Sequence, residues 1–386
     1  MTADATPRKD ALAVHRRAVA VDMHADTVQF VIDEGADISG RVETTHLDAP
    51  RMREGGLDAQ FFSVWVEPEF YGTGGPAAVA RADAQVEAVR ALAERRPDLW
   101  TFATTAADIR RAKEEGKLAA LLGLEGGYAI DERLERVGHY FRRGVRYMTP
   151  AWTRSLSWAG SSGDAEGATR GLDDFGRAVI REMNRLGMLV DVSHVSDKTF
   201  WDMVETSTSP VIATHSNCRR LTDVPRNLAD DMIRAIAATG GVVCAVFYPG
   251  FLEPGWRARK DAVEAEIQPL IEEAERGASG DGGSLRRIAG DRVRAREFAA
   301  RLAPVPFTRV ADHIDHVVGL TGVEHVGCGS DFDGITATPA GLSSVAELPN
   351  LTAELLRRGY TEEDVTKILG GNVLRVMEET ERRAAR

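Results

Sequence analysis

This chain has no long apolar run. Nothing in its 386 residues approaches the stretch of roughly 18 apolar residues that would suggest a membrane span. At the N-terminus, MTADATPRKDALAVHRRAVA is broken by Arg8, Lys9, Arg16 and Arg17, so no secretory leader is expected. The closing EETERRAAR is charged, so no lipid anchor is expected. Cysteine is scarce too. Cys218, Cys244 and Cys328 are odd in number, widely spaced and without a CxxC pair. A disulfide framework is therefore not expected, and a reduced, cytoplasmic compartment fits. An excess of positive charge is also missing. The net charge of −11 argues against nucleic acid or an anionic membrane surface as the main partner.

What remains is an ordinary globular composition, 43% hydrophobic and 28% charged. Short apolar segments at 19–23, 60–66, 118–124, 145–148, 188–192, 211–214, 242–247 and 325–329 predict eight strands. Helix-like stretches separate most of them, at 77–95, 173–186, 197–205, 230–238 and 307–320. Continuous apolar strands alternating with helices indicate parallel βα units covered on both faces. Eight such units predict a (β/α)₈ barrel, one domain over residues 1–386. Two segments break the rhythm. Residues 155–171 are rich in Gly and Ser and read as a loop after the fourth strand. Residues 253–304, charged and helix-forming around GASGDGG at 277–283, read as an exposed helical insertion between strands seven and eight.

Ionisable residues gather at the predicted strand ends. His24 and Asp26 close the first strand, Glu125 the third, His194 the fifth, His215 the sixth and Asp331 the eighth. In a parallel barrel these ends meet on one face, where such enzymes place their active sites. Taken alone, each residue is weak evidence. A lone His is more often a hydrogen-bonded structural residue, and a strand-terminal carboxylate is often a helix N-cap. Three imidazoles and three carboxylates on one rim are harder to explain that way. So many carboxylates together would raise one another's pKa unless cations were present.

His and carboxylate ligands without thiolate suit zinc, with manganese or iron also open on ligand type. Strand alternation sends His24 and Asp26 to the same side, as two ligands of one ion require. Glu125 can give one oxygen to each of two ions, and His194 with His215 would hold the second. Two divalent ions are balanced in charge by Asp26, Glu125, Asp331 and a bridging hydroxide.

His24-Ala25-Asp26, GLEGG at 123–127, DVSH at 191–194 and GSDFDG at 329–334 together resemble the membrane (renal) dipeptidase family of the amidohydrolase superfamily. The similarity continues through RNLADD (226–231), VADHIDHV (310–317) and KILGGNVLRV (367–376). The resemblance implies a barrel, two zinc ions and hydrolysis of dipeptides by a metal-bridging hydroxide. It implies Asp331 as the acid/base and Arg226 as the ligand of the substrate carboxylate. It also allows a homodimer. One position departs from the family. After GVRYMT the family carries a His that contacts the substrate, and here Trp152 stands at that place. Trp cannot accept a hydrogen bond or become cationic, though its indole N–H can donate. Trp152 therefore leaves a second substrate class open: an N-acyl amino acid, a lactone or a β-lactam.

Overall fold

The structure is a computed structural model that describes residues 9–278 and 283–384. Residues 279–282, most of the GASGDGG break, lie outside the described residues, as do 1–8 and 385–386 at the two ends. The described strands are β1 (Val21–Ala25), β2 (Ala59–Trp65), β3 (Trp100–Phe102), β4 (Leu118–Glu125), β5 (Val145–Thr149), β6 (Leu189–Asp191), β7 (Val211–Ile212), β8 (Val243–Ala245) and β9 (Val326–Cys328). All pair in parallel. The order runs β1-β2-β4-β5-β6-β7, with β8 beside β9.

Backbone hydrogen bonds close the ring. Cys244 N–H donates to the Ala213 carbonyl at 2.8 Å, which joins β8 to the segment after β7. Asp331 N–H donates to the His24 carbonyl at 3.0 Å, and Asp26 N–H to that of Phe332 at 2.9 Å, which joins the segment after β9 to β1. The barrel read from the sequence is therefore present. β3 is an addition to it. It pairs with the first residues of β4, on the edge that β5 takes further along.

Burial explains the strand sequences. All eight residues of β4, LAALLGLE, are buried, as a strand covered by helices outside and packed side chains inside requires. Inside the barrel Met23, Phe61, Leu121, Tyr147 and Leu189 share one apolar cluster. A Cβ on Gly123 would lie 1.9 Å from the Tyr147 ring, so the absence of a side chain there lets Tyr147 lie across β4. Helices begin and end where local chemistry dictates. For helix Asp174–Leu186, the Asp173 side chain accepts from Gly176 N–H at 2.8 Å, and Gly187 closes it at φ 81°.

The insertion consists of helices Trp256–Gly277 and Gly283–Arg301. They share a small core of Ile267, Ile271, Val293 and Phe298. Trp256 is buried, edge-on to Tyr248 and Phe298. The insertion is largely exposed, as expected, yet it is tied to the barrel. Ser284 donates to Glu67 at 2.8 Å and Arg292 meets Glu34 at 2.6 Å, which pins the second helix to the barrel rim. Its inward side chains face the mouth of the barrel. Among the described residues, no helix is long and apolar enough to cross a membrane. The three cysteines are buried and free.

Candidate metal centre

Parallel strands deliver their C-terminal ends to one rim. His24 lies in β1, Asp26 follows it, and Glu125 ends β4. The β1–β2 register slips between Asp22 and Ala25, yet His24 Nε2 and Asp26 Oδ2 still come within 3.5 Å. His194, His215 and Asp331 each stand three residues beyond their strands. His194 at φ 68° and Asp331 at φ 64° occupy the left-handed region, which costs an L-residue about 1–2 kcal/mol. These turns swing the side chains inward. Ser162 holds the first of them, its N–H and hydroxyl both donating to the His194 carbonyl at 2.8 and 2.9 Å.

The two oxygens of Glu125 face different partners. Oε2 lies 3.3 Å from His24 Nε2, which is itself 4.0 Å from Asp331 Oδ1. Oε1 lies 2.9 Å from His194 Nε2 and 3.5 Å from His215 Nε2, and those two nitrogens are 2.9 Å apart. Ser63 Oγ steadies Oε2 at 2.9 Å. Behind the cluster, Thr214 donates its hydroxyl proton to Asp191 at 2.7 Å, so its oxygen accepts from His215 Nδ1–H at 2.8 Å. That fixes the tautomer and leaves a lone pair on His215 Nε2, aimed at the cluster. Tyr147 OH stands 2.8 Å from His24 Nδ1 in the same supporting position.

The buried groups perturb one another: although burial opposes it, Tyr147 and Glu125 hold the His24 ring well above its usual range. Burial, with Glu125 next, pushes the Asp26 carboxyl above its usual range. Burial also raises Asp331, and the charges of Asp26 and Glu125 add to it. At Glu125 burial is outweighed by His24, His194 and His215, which hold it well below the carboxylate range. Burial and then Arg226 push His194 down to about 4, so its ring is neutral and free to ligate at neutral pH. His24 Nε2 and Asp26 Oδ1 are buried with no hydrogen-bond partner. Buried lone pairs of this kind cost about 1–3 kcal/mol each when unmet. The arrangement therefore fits a metal centre: His24, Glu125 and His215, and again His24, Asp26 and Asp331, bring ligand atoms within 4.8 Å of one another.

A cavity of about 340 Å³ opens over this cluster. Asp26, Glu125, Trp152, His194 and Asp331 line it, while His24, His215 and Arg226 lie behind the wall. Arg226 is buried. Its Nη1 donates to Ser216 Oγ at 2.6 Å, its Nη2 donates to the His215 carbonyl at 2.7 Å, and its Nε is unpartnered. The Trp152 ring meets Trp65 edge-on at 4.7 Å and lies 6.2 Å from the His194 ring. Tyr147, Ser63, Trp65 and the insertion residues Lys260, Arg287 and Arg294 were not singled out from the sequence. For Tyr147 the inward strand position two residues before Thr149 was the readable signal.

A closed parallel barrel with this rim of imidazoles and carboxylates defines a metal-dependent hydrolase. The chain belongs to the membrane dipeptidase family (peptidase family M19), whose model matches residues 8–386. It is 32% identical over 348 residues to an uncharacterized dipeptidase of Schizosaccharomyces pombe, covering 88% of this chain and 73% of that one. Among solved structures it resembles the probable dipeptidase PvdM from Pseudomonas aeruginosa, with a TM-score of 0.82 at 26% identity over 97% of this chain and 98% of that one. It also resembles a metallopeptidase from Rhodobacter sphaeroides liganded with a phosphinate mimic of L-Ala-D-Ala. The TM-score there is 0.76 at 25% identity, covering 94% of this chain and 99% of that one.

Proposed function

We propose that this chain hydrolyses dipeptides with a free C-terminal carboxylate at a two-zinc centre. His24 and Asp26 would hold one ion and His194 and His215 the other, with Glu125 placed to serve both. The observation that carries this reading is the split of Glu125, one oxygen toward each ligand group. The phosphinate dipeptide mimic in the Rhodobacter sphaeroides relative supports the substrate class. Bound there, zinc supplies Lewis acidity for an amide carbonyl and brings the pKa of water toward neutrality.

The chain's own groups then divide the remaining work. Asp331, at the cavity wall, accepts the proton of the attacking water. As the new C–O bond forms and the C–N bond breaks, it returns that proton to the leaving amine. Arg226, pushed down to about 10 by burial, remains a cation at neutral pH and attracts the α-carboxylate from behind the wall. The insertion closes over the cavity and limits it to small substrates. A second reading, hydrolysis of an N-acyl amino acid, a lactone or a β-lactam at the same centre, rests on Trp152.

The test is metal counting followed by assay of the zinc-loaded protein. Two ions per chain and faster cleavage of dipeptides than of their C-terminal amides are expected. Full activity after exhaustive chelation would exclude the reading, and cleavage of N-acyl amino acids alone would select the second.

A further inference from the structure

The insertion brings five charged side chains to the cavity, three cationic (Lys260, Arg287, Arg294) and two anionic (Glu264, Asp291). They form an alternating chain. Lys260 meets Glu264 at 2.5 Å, Glu264 meets Arg294 at 2.7 Å, Arg294 meets Asp291 at 3.1 Å, and Asp291 meets Arg287 at 3.0 Å. Of these five the outermost members are both cations, and Lys260 also meets Asp261 at 3.4 Å. At the Arg287 end the chain is incomplete. Only Nη1 is bonded, while Nε and Nη2 are buried without a partner. The nearest other carboxylate, Glu67 Oε1, stands 3.9 Å from Nε, beyond hydrogen-bond reach, and already accepts from Ser284 at 2.8 Å and Arg81 at 3.2 Å.

Arg287 lies over the Trp65 ring at 5.1 Å, and Trp65 is edge-on to Trp152. The indole N–H of Trp65 is also buried and unpartnered. One end of the cavity thus gathers an apolar aromatic wall, a guanidinium and several unmet donors, close to the metal centre. A buried donor prefers an acceptor, and a cation prefers an anionic one.

We propose that Arg287 is a specificity-determining residue. With Trp65 and Trp152 it forms a subsite for a side chain that has a short apolar stem and a terminal carboxylate, so acidic dipeptides are the favoured substrates. This rests on the dipeptidase reading above.

The test compares kcat/KM of the zinc-loaded protein on dipeptide pairs that differ only in Glu against Gln, placed first and then second in the dipeptide. The wild type should favour Glu at one position by about tenfold or more, the scale of one charge-assisted hydrogen bond. Arg287→Met keeps the apolar stem and should bring the ratio near one, and Arg287→Lys should restore part of it. A purely structural Arg287 would lower both substrates together and leave the ratio unchanged. A ratio near one in the wild type, or the same ratio in Arg287→Met, overturns the proposal. Calorimetric binding of phosphinate dipeptide mimics carrying a Glu or a Gln side chain reads the same preference without turnover. Preference in binding without dipeptide hydrolysis would count against the reaction alone. Hydrolysis without preference would count against the subsite alone.

Discussion

Replacing Asp331 with Asn separates proton transfer from metal binding. The backbone tolerates the change, because Asn enters the left-handed region readily and the Asp331 N–H bond to the His24 carbonyl does not involve the side chain. The amide is isosteric with the carboxyl but cannot take up a proton in this range. Burial, with Asp26 and Glu125, raises the Asp331 carboxyl well above its ordinary value, which suits a group that must hold a proton and release it. Its Oδ1 is 4.0 Å from His24 Nε2, farther than either Asp26 or Glu125. Loss of general acid/base catalysis lowers a rate by about 10²–10⁴, or roughly 3–5 kcal/mol on the barrier. The variant should therefore keep two metal ions by elemental analysis while kcat falls by that factor. Loss of metal with kcat per loaded site preserved would show that Asp331 is a ligand and that the proton moves elsewhere.

Glu125→Gln removes the charge between the two ligand groups, so metal content and activity should fall together when both are measured on the same sample. Trp152→Phe keeps the aromatic wall without the indole N–H. If that N–H replaces the family His as a donor, kcat should fall by about 10²–10³, the scale for one lost oxyanion donor. Trp152→His restores the usual family residue and should raise activity on small polar dipeptides; no change in rate or selectivity with either variant would leave Trp152 as packing alone. His313 predicts a pH effect on stability. It accepts from Cys218 N–H at 3.1 Å, and burial pushes its ring from 6.5 down to about 4. The unfolded chain takes up this proton below pH 6.5 and the folded one only near pH 4, so the contribution is complete above 6.5 and is lost as pH falls. Urea unfolding should show about 3 kcal/mol less stability from this group at the acid end, and His313→Gln should remove that part of the pH dependence.

The site was legible because a parallel barrel converts sequence position into spatial position. A polar residue ending an apolar run becomes a residue on the rim, whichever strand carries it. His24, Glu125 and the others could be gathered on one face without knowledge of a single contact. Their aim could not. His194 and Asp331 reach the cluster through left-handed turns three residues past β6 and β9, and nothing in DVSH or GSDFDG taken alone fixes those angles. β3 was missed because three residues, WTF, are too short to show a period. The support of His24 by Tyr147 depends on Gly123 in the neighbouring strand, a contact between residues 24 positions apart.

The contacts of the insertion were hidden for a different reason. Some of its charged residues pair locally at i, i+3 or i, i+4, but others find partners across the hairpin or on the barrel. Glu264 meets Arg294 thirty residues away, and Ser284 reaches Glu67 over more than two hundred. Local spacing is blind to pairs of that kind. The consequence is functional. The proposed metal ligands sit on the barrel rim, whereas much of the charge facing the cavity arrives on a separate pair of helices. The two are not independent, because the charge of Arg287 reaches the Asp26 carboxyl and opposes the rise that burial causes. Changing the insertion should therefore alter Asp26, a proposed metal ligand, as well as the proposed subsite. Additivity between variants at the two places cannot be assumed.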